Sequence, residues 1–370
     1  MKLLFAIKHL ASAVGGAERV LCTVCSELVE RGHEVSIVTF DQPGGKPFYR
    51  LDDRVKLIDL AIGNAARSAG VFETVKRMKA LRHIAATEQP DVVIGFMHSM
   101  FIPMVFALVG TDIPTLGSEH IVPEHYRTRC FQFFLLIIAA RLIKKITVLS
   151  EAIRSSYPAR VKTKMVVMAN PIEKPTLQID RGLSKSGRIL LSVGRLDKQK
   201  DHATLIKAFS KIASGFPNWK LKIVGDGLLR KDLEGLIEAL DLQDRVMLPG
   251  VTKAIDNEYQ SADIFVISST YEALGLVTAE AMSHGLPVVG FSDCPGTNEL
   301  IENNVSGVLV KPKNDRAEAL AYALSGLFNN PALQERMGRA GKERIKRHFS
   351  TKQVCDQWEV LLMRSASNQF

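Results

Sequence analysis

The chain has 370 residues, a length that suits two domains. Its residues are 46% hydrophobic and 24% charged, a composition typical of a globular protein. The formal net charge is +9, and residues 1–170 hold 22 Lys and Arg against 15 Asp and Glu, a balance of +7. A basic half of this kind suits anionic lipid, a diphosphate substrate or nucleic acid. We expect no nucleic-acid partner, because the sequence shows no nucleic-acid-binding module and little aromatic interleaving among its cations.

Five scattered cysteines are typical of a protein from a reducing cytosol. Cys22 and Cys25 form a C-x-x-C pair inside a predicted amphipathic helix, where core packing is favoured over zinc or redox chemistry. The first apolar run, residues 3–7, is too short for a signal-peptide core and predicts a strand instead. No segment reaches the roughly 20 apolar residues that span a bilayer.

Short apolar runs alternate with helix-length segments, which predicts parallel α/β domains. The strands of the first half are predicted near residues 2–7, 34–40, 91–96, 114–118, 145–149 and 165–169. Those of the second half are predicted near residues 188–193, 220–225, 245–248, 263–268, 286–290 and 307–310. We therefore predict two Rossmann-like, doubly wound domains, residues 1–170 and 188–350, with a polar linker at 171–187 and a final helical segment at 351–370.

A glycine turn opens the first predicted helix at residues 15–19, Gly-Gly-Ala-Glu-Arg. Such a turn presents free N–H groups to an anion, although a Gly-rich loop alone is a weak signal. Two histidines follow predicted strands, His98 and His120, and a lone histidine in such a place is more often structural than catalytic.

Two helical segments of the first half carry the features that could meet a membrane. In the helix predicted at 71–88, Lys76, Lys79 and His83 share one face, which is either solvated or directed at a lipid diphosphate or anionic headgroups. The apolar segment 131–140 is either a buried core helix or a helix in a membrane interface. It is bracketed by the cations Arg127, Arg129, Arg141, Lys144 and Lys145.

In the second half, the predicted strand 188–193 runs into Gly194, Arg195 and Lys200. Arg offers a rigid fork and Lys a point charge for phosphate oxygens, although a short basic loop can also be merely solvated. The chain has no Asp-x-Asp triplet that would hold a metal on a nucleotide diphosphate. We therefore expect no metal, with Arg195 and Lys200 offsetting the charge of the leaving group.

The next candidate feature is a pair of glutamates. Glu272 lies on the loop after the predicted strand 263–268, and Glu280 lies about two helical turns later. Open α/β sheets bind ligands in the crevice outside the carboxyl ends of their strands. Spacing alone also allows two glutamates with no shared task.

Together and in this order, these motifs resemble those of the retaining GT-B glycosyltransferases of family 4. The matching elements are an E-x7-E pair at 272 and 280, a Gly-Arg…Lys element at 194–200 and a Gly-Gly-x-Glu loop at 15–18. A narrower likeness, to bacterial enzymes that extend undecaprenyl-diphosphate-linked glycans, rests on residues 15–19, 33–37, 118–120, 194–197 and 225–230.

This resemblance implies two Rossmann-like domains facing a central cleft, with the final helix crossing back to the first domain. It implies retaining transfer of an N-acetylhexosamine or hexose from a UDP-sugar, without cofactor or metal, to a polyprenyl-diphosphate-linked saccharide. The enzyme would be cytoplasmic, peripheral on the inner face of the membrane. The alternatives are a soluble transferase acting on a small molecule or glucan and, more remotely, a non-hydrolysing UDP-sugar epimerase. A binding module without catalysis is disfavoured by polar groups at strand ends in both halves.

The resemblance also implies a role for each candidate residue. The catalytic pair is His120 and Glu272. The donor-binding residues are Gly16, Arg195, Lys200, Val251, Thr252, Gly275, Leu276 and Glu280. The residues assigned to the acceptor or the membrane are Glu18, Lys76, Lys79, His83 and His98.

Overall fold

The computed structural model describes residues 1–11, 15–63, 69–126, 128–175 and 187–367. The chain divides into two compact units, residues 1–171 with 351–370, and residues 172–350. Three parts of the expectations above lie outside the described residues, namely Arg127, residues 176–186 of the linker and the last three residues of the tail.

The first domain is built on a parallel sheet. Its described strands are β1 (Lys2–Ala6), β2 (Glu34–Thr39), β3 (Lys56–Asp59), β4 (Val92–Phe96), β5 (Thr115–Ser118), β6 (Lys145–Val148) and β7 (Met165–Val167). They lie in the order β3-β2-β1-β4-β5-β6-β7, so the winding direction reverses between β1 and β4. Strand β4 is buried at all five residues, as expected for a central strand covered on both faces.

The second domain repeats this plan. Its described strands are β8 (Arg188–Val193), β9 (Trp219–Val224), β10 (Val246–Gly250), β11 (Ile264–Val266), β12 (Val288–Phe291) and β13 (Gly307–Val310). All pairings are parallel, in the order β10-β9-β8-β11-β12-β13, and the winding reverses between β8 and β11. The prediction of two Rossmann-like α/β domains is confirmed.

Helices connect the strands. Those of the first domain are α1 (Gly16–Glu30), α2 (Val71–Glu88), α3 (His98–Ala107), α4 (Cys130–Leu142), α5 (Glu151–Ser156) and α6 (Ala159–Lys162). The second domain has α7 (His202–Ile212), α8 (Arg230–Ala239), α9 (Ile255–Ser261), α10 (Leu276–Ser283), α11 (Thr297–Leu300), α12 (Arg316–Phe328) and α13 (Pro331–His348). Several begin at side-chain caps; for example, Asp201 accepts the N–H of Thr204 at the start of α7.

The last helix, α14 (Thr351–Ala366), belongs to the first domain and packs against α1. Trp358 is 1% exposed, and its ring stacks on Phe96 of β4 with centroids 6.1 Å apart. Arg31, which ends α1, places its guanidinium 2.7 Å from Asp356 and 3.0 Å from Glu359. An apolar anchor and a partly buried ion cluster thus hold the end of the chain on this domain.

The edge strand β3 was not predicted from the sequence. It pairs with β2 in parallel register, Ser36 opposite Lys56. Its four residues are all partly or fully exposed. Only two of them, Leu57 and Ile58, are apolar, and they lie between the charged Lys56 and Asp59. An edge strand that is not buried on both faces lacks the long apolar run by which the central strands were predicted.

Candidate active site

An ion pair lies where the winding of the second sheet reverses. Lys200 follows β8 and Glu272 follows β11, and the Lys200 Nζ lies 2.6 Å from the Glu272 Oε1. The Ser269 hydroxyl donates to the same oxygen, also at 2.6 Å. The two side chains are only 13% and 9% exposed, so their charges attract strongly. Lys200 and Glu272, predicted from separate motifs, are therefore direct partners.

Hydrogen bonds from side chains to backbone carbonyls join the two loops that carry this pair. The Ser268 hydroxyl donates to the Lys200 carbonyl at 2.8 Å, and the Gln199 amide donates to the Tyr271 carbonyl at 2.9 Å. Behind them, Gly296 has φ of +79°, and a Cβ there would lie 2.5 Å from the Glu272 carbonyl oxygen. Only glycine fits at that position without displacing the loop.

Arg195 lies on the turn between β8 and Lys200, with its side chain 74% exposed and 3.2 Å from the Asp197 carboxylate. The turn is packed closely from below, because a Cβ at Gly225 would lie 2.0 Å from the Gly194 carbonyl oxygen. The close packing holds the backbone of the turn, while the guanidinium stays reachable from solvent.

Glu280 lies in α10 and is 8% exposed. Its Oε2 accepts a hydrogen bond of 2.8 Å from the hydroxyl of Tyr259. Gly275 caps the helix in the left-handed region, φ 78° and ψ 58°, and Leu276 is the first helical residue. The N–H groups of this first turn carry the positive end of the helix dipole.

Two exposed residues follow neighbouring strands at the same edge of the sheet. Val251, directly after β10, is 68% exposed, whereas the Thr252 hydroxyl accepts the N–H of Ala254 at 3.0 Å and so stabilises the turn into α9. Leu228, on the loop after β9, is 97% exposed. The sequence analysis did not single out Leu228, although it lies in the 225–230 segment used for the narrower likeness.

In the first domain, both candidate histidines lie around a buried carboxylate, that of Glu119. The His98 Nδ1 is 3.8 Å from the Glu119 Oε1, which also accepts the backbone N–H of His120 at 3.0 Å. The Tyr126 hydroxyl donates to the other oxygen at 2.7 Å. Burial, with the negative charge of Glu119 beside it, raises the pKa of Tyr126. Glu119 lies in the 118–120 segment used for the narrower likeness, but the motifs assigned it no role, and Tyr126 was missed because a buried hydroxyl has no local signature.

The ring of His120 stacks on Phe96 with centroids 5.1 Å apart. Its Nε2 lies 3.0 Å from the Ser118 hydroxyl, which in turn accepts a hydrogen bond from Thr147. Burial lowers the pKa of His120 to about 4, against an opposing effect of the Glu119 charge. The imidazole is therefore neutral at neutral pH, a hydrogen-bonding group and not a cation.

Gly16 is the first residue of α1, and Glu18 lies in its first turn. The Glu18 carboxylate bends back over the start of the helix, since a Cβ at Gly15 would lie 2.1 Å from its Oε2. It also lies 3.9 Å from the His9 Nδ1. The N-terminus of α1 thus has an acidic side chain of its own beside it.

The cations predicted on α2 separate into two groups. Lys76, Lys79 and His83 are exposed. Arg82, in contrast, donates to the carbonyls of Ala107 and Val109 at the end of α3, at 2.8 and 2.9 Å. Arg82 therefore has a structural role, and the other three remain available to a ligand.

Helix α4 is not a buried core helix. Of its thirteen residues only Leu136, Ala139 and Ala140 are buried. Phe131 is 72% exposed, Phe134 56% and Leu142 50%. The spacing of these three residues places an apolar stripe toward solvent, with the exposed Arg141 beside it.

Two kinds of feature are absent from the described residues. No group of three or more His, Cys, Asp or Glu in this part of the chain is placed to hold a metal ion. Likewise, no described helix has both the length and the apolar composition needed to traverse a bilayer.

Residues 173–344 match the family Glycosyl transferases group 1, and residues 14–174 match Glycosyltransferase Family 4. An uncharacterized glycosyltransferase of Haemophilus influenzae is 30% identical over 98% of this chain and 99% of its own length. The Campylobacter jejuni α-1,4-N-acetyl-D-galactosaminyltransferase, whose name specifies a diphospho-undecaprenol-linked glycan, is 28% identical over 98% of both chains. Among solved structures, Anabaena HepE in complex with UDP superimposes with a TM-score of 0.79 at 19% identity, covering 98% of this chain and all of that one.

Proposed function

The chain belongs to the group 1 glycosyltransferases, and we propose that it transfers a sugar, with retention, from a UDP-sugar to a polyprenyl-diphosphate-linked saccharide at the inner face of the cytoplasmic membrane. The enzyme class and the GT-B fold follow from the family. The donor, the acceptor, the stereochemistry and the location are the content of the proposal.

The proposed binding of a nucleotide-sugar donor rests on the Lys200–Glu272 pair at the reversal point of the second sheet. Open α/β sheets bind ligands at that point. We assign Lys200 and Arg195 to the diphosphate, because both are cations on the same turn and Arg195 is exposed. A phosphate that reaches Lys200 shares its ammonium with Glu272, which links diphosphate binding to the carboxylate assigned to the sugar.

The remaining donor contacts are assigned along the same edge of the sheet. Glu280 binds the ribose hydroxyls, and the N–H groups of Gly275 and Leu276 hold the sugar and diphosphate with Glu272. The exposed Val251 lies beside the base. The choice of uridine is supported by the likeness to HepE, which was solved with UDP.

In the transfer step, the bond between the anomeric carbon and the diphosphate oxygen breaks while the acceptor oxygen bonds to that carbon from the same face. The acceptor proton passes to the leaving phosphate, so no side chain serves as general base. Arg195 and Lys200 stabilise the charge that develops on the diphosphate. The neutral His120 contributes a hydrogen bond to the donor sugar near the reacting carbon.

The acceptor half is supported by the surface of the first domain. Helices α2, α3 and α4 pack side by side. At the start of α2, Val71 is 79% and Phe72 93% exposed, about one turn before the exposed Lys76 and two turns before the exposed Lys79. Exposed apolar side chains next to cations give reversible binding to anionic interfaces. The Campylobacter relative's undecaprenol-linked glycan provides the chemical class of acceptor.

A panel of UDP- and GDP-sugars tests the proposal, with nucleotide release measured in the presence and absence of lipid-linked saccharides. We expect release from a UDP-sugar that rises strongly when a lipid-linked acceptor is added. Equal stimulation by water-soluble saccharides would support the soluble transferase instead. Interconversion of the UDP-sugar without an acceptor would support the epimerase.

A further inference from the structure

The carboxylate of Glu280 is held from a neighbouring helix. The Tyr259 hydroxyl, on α9, donates to its Oε2 at 2.8 Å. Tyr259 is fully buried and Glu280 is 8% exposed, so the hydrogen bond is largely shielded from water. A buried tyrosine normally gives its hydroxyl a partner, and here that partner is a residue of the E-x7-E pair.

His284, the residue that follows α10, supports this contact from beside Tyr259. The His284 Nδ1 lies 2.8 Å from the backbone carbonyl of Glu280, and its ring packs 5.0 Å from that of Tyr259. On the other side, the His284 Nε2 lies 3.4 Å from the Asp256 carboxylate of α9. Helix α9 therefore contacts α10 at the turn that carries Glu280, through two aromatic side chains.

The geometry points to Tyr259 as a positioning residue, which orients the Glu280 carboxylate toward the two ribose hydroxyls of the donor nucleotide. A carboxylate at the end of a glutamate rotates about its last torsion over a broad range. A charge-assisted hydrogen bond to one oxygen restricts that rotation. This inference rests on the proposed function, because it takes Glu280 as the ribose-binding residue.

Helix α9 begins at Ile255, after the Val251–Thr252 turn, where the Thr252 hydroxyl accepts the N–H of Ala254. The turn assigned to the base and the hydroxyl that holds Glu280 therefore belong to one continuous segment of the chain.

Calorimetric titration of Tyr259→Phe with UDP and with 2′,3′-dideoxy-UDP, which lacks both ribose hydroxyls, tests the inference. Relative to the wild type, we expect about a tenfold weaker affinity for UDP, the effect typical of losing a hydrogen bond to a charged group. The affinity for the dideoxy nucleotide should be unchanged. At saturating donor, turnover should stay near that of the wild type, because the ribose is remote from the reacting carbon.

Gln334→Leu is the matched control. It removes a buried hydrogen bond of the same domain, from the Gln334 amide to the Leu327 carbonyl at 2.7 Å, and should leave the ratio of the two affinities unchanged. Equal weakening of both nucleotides by Tyr259→Phe, or no weakening of UDP, would overturn the inference. A wild-type protein that does not bind UDP would overturn the proposed donor and this inference with it.

Discussion

Glu272 is held by both Lys200 and Ser269, so its carboxylate has a defined position and its charge a defined partner. If it acts on the donor sugar in the chemical step, Glu272→Gln should reduce turnover about 100-fold or more, with a modest change in the affinity for donor. The amide keeps an acceptor for Ser269 and loses the attraction to Lys200. Steady-state kinetics with varied donor would show this, and near-normal turnover would remove Glu272 from the site.

We assign to the exposed Arg195 and the largely buried Lys200 the role of offsetting the diphosphate charge in place of a metal ion. We predict that activity survives an excess of a strong chelator and that Arg195→Ala reduces turnover strongly. Arg339→Ala, on the exposed face of α13, is the control for loss of one surface arginine and should have little effect. Activity that disappears with chelator and returns with Mg²⁺ or Mn²⁺ would contradict the assignment.

Two buried histidines make stability depend on pH. Burial lowers the pKa of His120 and of His202 to about 4, and the charge of Lys200 adds to the effect at His202. Between pH 6.5 and 4 the unfolded chain therefore takes up protons that the folded chain does not. Above pH 6.5 neither histidine lowers the free energy of unfolding. As the pH falls from 6.5 toward 4, each one lowers that free energy by about 1.4 kcal/mol per pH unit.

We therefore expect the melting temperature to fall between pH 7 and pH 5, and to fall less in His202→Gln, which has no group that titrates in that range. Thermal melts of both proteins across the range provide the measurement. An identical drop in the two proteins would show that His202 ionises as readily in the folded chain as in the unfolded one.

At the residue scale, sequence motifs identified single side chains but not their partners. Lys200 and Glu272 are 72 positions apart, and their contact depends on two loops meeting at the edge of a sheet. Tyr259 lies in none of the motifs, and Glu119 lies in the 118–120 segment without a role assigned to it. Their importance comes from burial beside a charged or polar group, which only the packed structure reveals.

At the scale of elements, α2 is the part of the first domain that most directly tests membrane contact. Lys76→Glu with Lys79→Glu reverses two exposed cations beside Phe72, and should weaken both flotation with anionic vesicles and transfer to a lipid-linked acceptor. UDP binding, assigned to the second domain, should change little. High salt should weaken flotation of the wild type in the same direction, because it screens the attraction.

Lys342→Glu with Lys346→Glu, on exposed positions of α13, changes the net charge equally and is the matched control. It should float like the wild type. If the α2 reversals leave flotation and transfer intact, the face is merely solvated and the soluble acceptor gains support.

The strands predicted from apolar runs include a fully buried one, β4, and partly buried ones such as β8 and β10. Central strands such as β4 and β8 have the apolar runs that parallel sheets require, whereas β3 does not, because it lies at an edge. The sequence allowed two interpretations of the apolar segment in α4, a buried core helix or a helix in a membrane interface. Composition could not decide between them, because an apolar stripe facing a core and one facing solvent have the same pattern.

At the scale of the whole molecule, we assign different tasks to the two domains. The donor is assigned to the second domain, at the reversal point of its sheet, and His120 with the basic and apolar surface for the acceptor is assigned to the first. The charge follows the same division, since residues 1–170 carry +7 of the formal +9. Binding to the membrane raises the effective concentration of a lipid-linked acceptor, and that gain needs no new contact at the site.

The most direct test follows a labelled sugar from a UDP-sugar into an undecaprenyl-diphosphate-linked saccharide, separated by organic extraction. We predict that label enters the lipid fraction, that Glu272→Gln abolishes most of this transfer, and that NMR of the released glycan shows the anomeric configuration of the donor. Label that stays in the aqueous phase with every lipid-linked acceptor, or a product of inverted configuration, would contradict this prediction.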